Sequence, residues 1–145
     1  MMPKRLINPW FHIDTNRINS KGRLCSMNQL EKWHQDGVIQ LFMCSTAQAE
    51  AGASHDQQRT LKAWGYTEPR PLVATREERD LLDKISAILF GRGPQSAAEE
   101  RDCLIVFTAK KYFAVLITDD GGSNTQPRGI LVAARSVEAR YHCHA

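Results

Sequence analysis

Four acids, Asp14, Glu50, Asp102 and Asp120, are placed for chemistry in this chain, with Asp119 beside the last of them. Asp14 closes the short apolar run Phe11-His12-Ile13, and Asp119-Asp120 follow the run Val115-Leu116-Ile117 after Thr118. Glu50 and Asp102 fall in the early turns of predicted helices. In a parallel sheet with right-handed crossovers, such positions gather along one edge, where open α/β sheets bind their ligands. Carboxylates packed together there repel one another, and a divalent cation relieves the repulsion. All-oxygen ligation suits magnesium or manganese better than zinc. A cation held this way polarises a phosphoryl oxygen and lowers the pKa of bound water, so phosphodiester hydrolysis is the natural reaction class. No G-x-S-x-G elbow occurs and no His/Cys set with zinc spacing accompanies the acids.

The elements that must position these acids alternate. Phe11 to Ile13 predicts a strand. Ser26 with Gln29 fits a capping box, opening a helix through Leu30 and Trp33 that stops at Gly37. Val38 to Cys44 reads as a strand buried on both faces. Ser45 with Gln48 repeats the box, and the helix carrying Glu50 is expected to run, weakened at Gly52, to Trp64 and Gly65. Leu72-Val73-Ala74 is too short to assign. Thr75 with Glu78 opens an amphipathic helix through Leu81, Leu82, Ile85, Ile88 and Leu89. Gly91-Arg92-Gly93-Pro94 lacks a preceding strand and is a plain connection, not a phosphate loop. Ser96 with Glu99 opens the helix of Asp102, whose apolar stripe is Leu104, Ile105, Ala109 and Phe113. Val115 to Ile117 and Ile130 to Ala133 are the last expected strands. The alternation predicts an α/β three-layer sandwich with a mainly parallel central sheet.

At 145 residues the chain is expected to be one domain with a sizeable core, its ends at 1–10 and 138–145 flexible. The 42% hydrophobic and 24% charged fractions are those of a globular protein, and a net charge of +3 is too small to mark a polycation. Any nucleic-acid contact must therefore be local, and Lys4, Arg5, Arg17, Lys21 and Arg23 cluster around Asp14 in sequence. The four cysteines are widely spaced. Cys44 and Cys103 lie in apolar runs and are expected to be buried free thiols, pointing to a reducing, cytoplasmic setting. Neither a signal peptide nor a membrane span is expected. His142-Cys143-His144 reads as a frayed terminus before it reads as a soft-metal site.

Taken in order, Ile13-Asp14-Thr15-Asn16, the strand to Ser45 and Glu50, Asp102-x-x-Ile105-x-x-x-Ala109, and Leu116-Ile117-Thr118-Asp119-Asp120 resemble a PIN domain, a small metal-dependent ribonuclease fold. The resemblance runs from Phe11 to about Val137. It implies that Asp14, Glu50, Asp102 and Asp120 bind magnesium or manganese, with Asp119 in the variable place of a Thr-x-Asp pattern. It implies that Asn16 and Thr118 support the acids. Glu99, which shares a helix face with Asp102, is either a cap or a further support. Arg17, Lys21 and Arg23 are the candidate RNA contacts. By the same resemblance the substrate is RNA, a small antitoxin protein is a possible inhibitor, and a homodimer is a possible assembly. Two other readings compete. One is a catalytically inactive PIN-like module binding RNA or protein. The other is a phosphoacceptor receiver-type domain, disfavoured because its acid pair belongs near the chain start.

Overall fold

A strand hydrogen-bonded on both sides must find parallel partners for every peptide group, and β1 (Trp10–Ile13) is that strand here. The computed structural model describes residues 8–69, 72–119 and 130. β1 pairs in parallel with β2 (Gln40–Phe42) on one side and β3 (Val115–Ile117) on the other, giving the order β2-β1-β3. Phe11 lies level with Leu41 and Val115, and His12 with Phe42 and Leu116. The remaining elements are a single 3-10 turn (Thr15–Arg17) and five helices: α1 (Cys25–Gln35), α2 (Ser45–Gly52), α3 (Gln57–Trp64), α4 (Arg76–Phe90) and α5 (Ala97–Lys111). The molecule is thus α/β with a small parallel sheet, as the alternation predicts. None of the described helices is long and apolar enough to cross a membrane.

Two apolar clusters result. Ile13 and Leu41 of the sheet, with Met43 just after β2, bury against Met27, Ala47, Ala51, Ala63 and Ile105. A second cluster joins α4 to α5 through Ile85, Leu89, Phe90, Cys103 and Phe107. Cys44 and Cys103 are buried free thiols, and burial pushes both thiol pKa values up, so neither is a ready nucleophile. His12 is fully buried. Its Nε2 accepts the Cys44 N–H at 3.1 Å, which fixes the proton on Nδ1, facing the Ile105 carbonyl in loose geometry. The imidazole stacks on Phe42 with ring centres 4.9 Å apart.

Several local expectations give way to tertiary contacts. The strand expected over 38–44 is shorter: Val38 is exposed, and the Val38 and Ile39 N–H groups turn back to the Trp33 carbonyl. α1 begins one residue before Ser26, because the Ser26 hydroxyl is taken by the Arg17 guanidinium at 2.9 Å. Asn19 instead receives the Leu24 N–H at 3.0 Å. Ser45 does not cap α2 either; Cys44 is the cap position, and the buried Gln48 amide donates to the Ala63 and Tyr66 carbonyls. The helix expected from Ser45 to Trp64 is two helices, because the Asp56 carboxylate accepts the Arg59 N–H at 3.1 Å and starts α3 afresh. The boxes at Thr75–Glu78 and Ser96–Glu99, remote from the sheet edge, do cap α4 and α5. Leu72 to Ala74 forms no strand. Of the strand expected over 130–133, Ile130 alone is described, and its backbone is helical.

Burial holds the His12 pKa down at about 4, opposed by its contact with the Ile105 carbonyl. In the unfolded chain a histidine takes up its proton near 6.5, so between about 6.5 and 4 the unfolded state binds more protons than the folded state. Stability should therefore fall by about 3 kcal/mol as pH drops through that window. His12→Phe, which keeps the stacking on Phe42, should remove that part of the slope in urea unfolding between pH 7 and pH 4.5. An unchanged slope would mean that another group carries the acid sensitivity.

Candidate functional site

The sheet order places a crevice where it is needed. From β1 the chain crosses to β2 on one side, and later returns to β3 on the other. The carboxyl ends of β1 and β3 flank this reversal, the position at which open α/β sheets take up ligands. Asp14 extends the ladder by one bond, its N–H donating to the Ile117 carbonyl at 3.0 Å. Beyond that bond, side-chain hydrogen bonds gather Asp14, Asn16, Thr118 and Asp119 at the two strand ends.

Asp14 is 5% exposed. A buried carboxylate is tolerated only where donors converge on it. Its Oδ1 accepts the Thr15 N–H at 2.7 Å, capping the 3-10 turn, while Oδ2 accepts the Thr118 hydroxyl at 2.6 Å and the Asn16 amide at 3.3 Å. The Asn16 side-chain carbonyl receives the Asp119 N–H at 3.0 Å, so Asn16 ties the two strand ends together. Asn16 and Thr118 thus both donate hydrogen bonds directly to Asp14.

Glu50 enters from α2. Its Oε2 accepts the Thr15 hydroxyl at 2.6 Å, so the acids of β1 and α2 are joined through one buried threonine. The Thr15 carbonyl is in turn held by the Arg59 guanidinium of α3 at 2.7 Å. Arg59 and the bridging role of Thr15 are not visible in the sequence. Arg59 falls within a stretch that reads as the continuation of a longer helix, and no local pattern signals a contact 44 residues back.

Asp102 sits in the second turn of α5, half-buried. α5 runs antiparallel to the strands: Tyr112, just beyond its carboxyl end, stacks on Trp10 at the start of β1, and the Ile105 carbonyl faces His12. One turn back from Ile105 raises Asp102 by roughly 4.5 Å, and Asp14 lies roughly 6.6 Å beyond His12, so both rise toward the same end of the sheet. Asp119, at the mouth, pairs with Arg17 at 3.7 Å, and its side chain is 74% exposed. Lys21 and Arg23 are exposed on the turn before α1. The Glu99 carboxylate accepts the Gln95 N–H at 2.6 Å and lies 3.7 Å from Arg92, which is a capping role. Asp120 and the His142-Cys143-His144 tail lie outside the described residues.

The oxygen donors present suit a hard cation. Among the described residues, however, no three carboxylate, imidazole or thiolate groups converge closely enough to hold a metal ion. Asp14 and Glu50 are the acids the structure joins. Comparison of the chain with protein-family models, curated proteins and solved structures found no match.

Hydrogen bonds to a charged group contribute about 1.5–3 kcal/mol, and Thr118 supplies the shortest one to Oδ2 of Asp14. Thr118→Val should lower the unfolding free energy by about that amount, while Thr118→Ser, which keeps the hydroxyl, should stay within about 1 kcal/mol of wild type. Equal stability of the valine and serine variants in urea would show that Asp14 does not depend on this donor.

Proposed function

We propose that the chain is a metal-dependent ribonuclease with a PIN-like three-layer fold, hydrolysing RNA phosphodiester bonds. The observation that carries this reading is the buried Asp14 at the strand reversal, held by Thr118 and Asn16 and linked through Thr15 to Glu50. An enclosed carboxylate oriented by several donors is what a fixed ligand for a cation requires. In this reading Asp14, Glu50, Asp102 and Asp120 hold magnesium or manganese, with Asp119 assisting. The cation supplies an activated water and charge stabilisation at the phosphoryl group. The chain itself positions the acids: Thr15 spaces Glu50 from Asp14, and Arg59 keeps Thr15 in place. In this reading Arg17, which pairs with Asp119, and the exposed Lys21 and Arg23 meet the phosphates of the strand. A cytoplasmic location, an inhibitory antitoxin and a homodimer belong to the same proposal; the first rests on the reducing setting the cysteines suggest, the other two on the resemblance alone.

A second reading is a catalytically inactive PIN-like module that binds RNA or a protein. Both carboxylate oxygens of Asp14 are already hydrogen-bonded within the protein, by Thr15, Asn16 and Thr118, which favours it.

Cleavage of a labelled RNA pool with manganese, with magnesium and with chelator separates the two. The nuclease should cut only with metal, and Asp14→Asn should reduce the rate at least a hundredfold, about 2.7 kcal/mol of barrier. Cutting that survives Asp14→Asn refutes the assignment, and absence of both cutting and calorimetric manganese binding supports the module. Between the paired acids, Asp120→Asn should abolish cutting whereas Asp119→Asn weakens it. Equal losses would shift the Thr-x-Asp register by one or make both acids ligands.

A further inference from the structure

At the opposite end of the sheet, the chain leaves α5 by an arrangement made for glycine. Tyr112 ends the helix, and Phe113 follows with φ of +53°. The Phe113 N–H returns to the Lys110 carbonyl at 3.2 Å and the Ala114 N–H to the Ala109 carbonyl at 2.8 Å, the paired closure of a Schellman motif. The left-handed position carries a strain of about 1 kcal/mol for a side chain with a Cβ. The Phe113 ring is also 90% exposed, so it gains almost nothing from burial. The Phe113 side chain therefore adds nothing to folding through burial, and such outliers point toward function.

Its surroundings define what it would meet. Phe113, Tyr112, Trp10, Pro9, Asn8 and Lys111 line a recess of about 490 Å³. Trp10 is 42% exposed and stacks on Tyr112 with ring centres 6.2 Å apart. The lining rings are aromatic rather than aliphatic; the Lys111 ammonium is held by Glu78 at 3.0 Å and by the Leu72 carbonyl at 2.7 Å, whereas Lys110, whose carbonyl accepts the Phe113 N–H, stands exposed at the end of α5. Flat π-faces beside a lysine match a single strand of nucleic acid, whose bases stack on rings while its phosphates take the cation. We propose that this recess is a stacking site for unpaired bases of single-stranded RNA. The proposal rests on RNA being the ligand, as in the reading above. It places an anchor on the far side of the sheet from Asp14, roughly 13 Å away along β1 at about 3.3 Å per residue.

Anisotropy of a labelled, unstructured oligoribonucleotide of mixed sequence, titrated with the full chain in chelator, tests it. Phe113→Gly suits the left-handed backbone and should leave thermal stability equal or higher. It should weaken RNA binding by about five- to a hundredfold, the loss of one stacked base. Phe113→Tyr should bind within about twofold of wild type, because the π-face is kept. RNA affinity unchanged in Phe113→Gly, or no RNA binding by wild type, overturns the site. So does a wild-type dimer in sedimentation that Phe113→Gly converts to monomer with RNA affinity retained, because the ring then serves a second copy of the chain. Ring-dependent binding by a protein that never cuts with manganese leaves the site standing and removes the nuclease. Metal-dependent cutting with Phe113→Gly binding as wild type does the reverse.

Discussion

The burial of Asp14 constrains much of what surrounds it. Its peptide group completes the pairing of β1 with β3, and its carboxylate ends the strand inside the protein. Taking a carboxylate out of water is unfavourable by several kcal/mol unless donors replace the lost hydration. Here the replacements are Thr15, Asn16 and Thr118, drawn from the turn after β1 and from the end of β3, 104 residues away. The sheet cannot slip by one residue without stranding that charge, because a one-residue shift moves every side chain to the other face.

The same demand spreads outward by competition for hydrogen-bond groups. Thr15 satisfies Asp14 with its N–H and Glu50 with its hydroxyl, and its carbonyl holds Arg59. Arg17 divides its guanidinium between Asp119 and the Ser26 hydroxyl. Ser26 is thereby lost to α1 as a cap, and Asn19 holds the N–H of Leu24, the residue before the helix. Around the crevice, side chains that would close helices locally are enlisted by tertiary contacts. The α4–α5 hairpin behaves differently. Its box at Thr75 is intact, the Ser96 hydroxyl caps α5, and its apolar cluster is its own. Thr75 and Ser96 have no such competitors, and local chemistry wins there.

The two ends of the sheet are therefore built on different terms. At the carboxyl end, Asp14 and Thr15 are enclosed and hydrogen-bonded. At the amino end, Phe113 and Trp10 leave aromatic surface in water beside a strained backbone. Apolar surface of this kind is ordinary when scattered singly, but here the rings are gathered around one recess.

What the sequence determined by itself is whatever is local and periodic. The apolar runs at 11–13, 38–44 and 115–117 each predict a strand and each overlaps one, over Trp10–Ile13, Gln40–Phe42 and Val115–Ile117, and helical spacing fixes α4 and α5. Gly37, at φ of +73°, closes α1 where a Cβ would be strained. The acids at strand ends could be picked out because strand ends are where a parallel sheet opens. Tertiary structure decided which of those acids meet. It joined Glu50 to Asp14 through Thr15, gave Glu99 to a cap, split one expected helix at Asp56 and brought in Arg59. Those outcomes turn on which of several equally capable partners lies within about 3 Å, a distance set by packing and not by spacing along the chain.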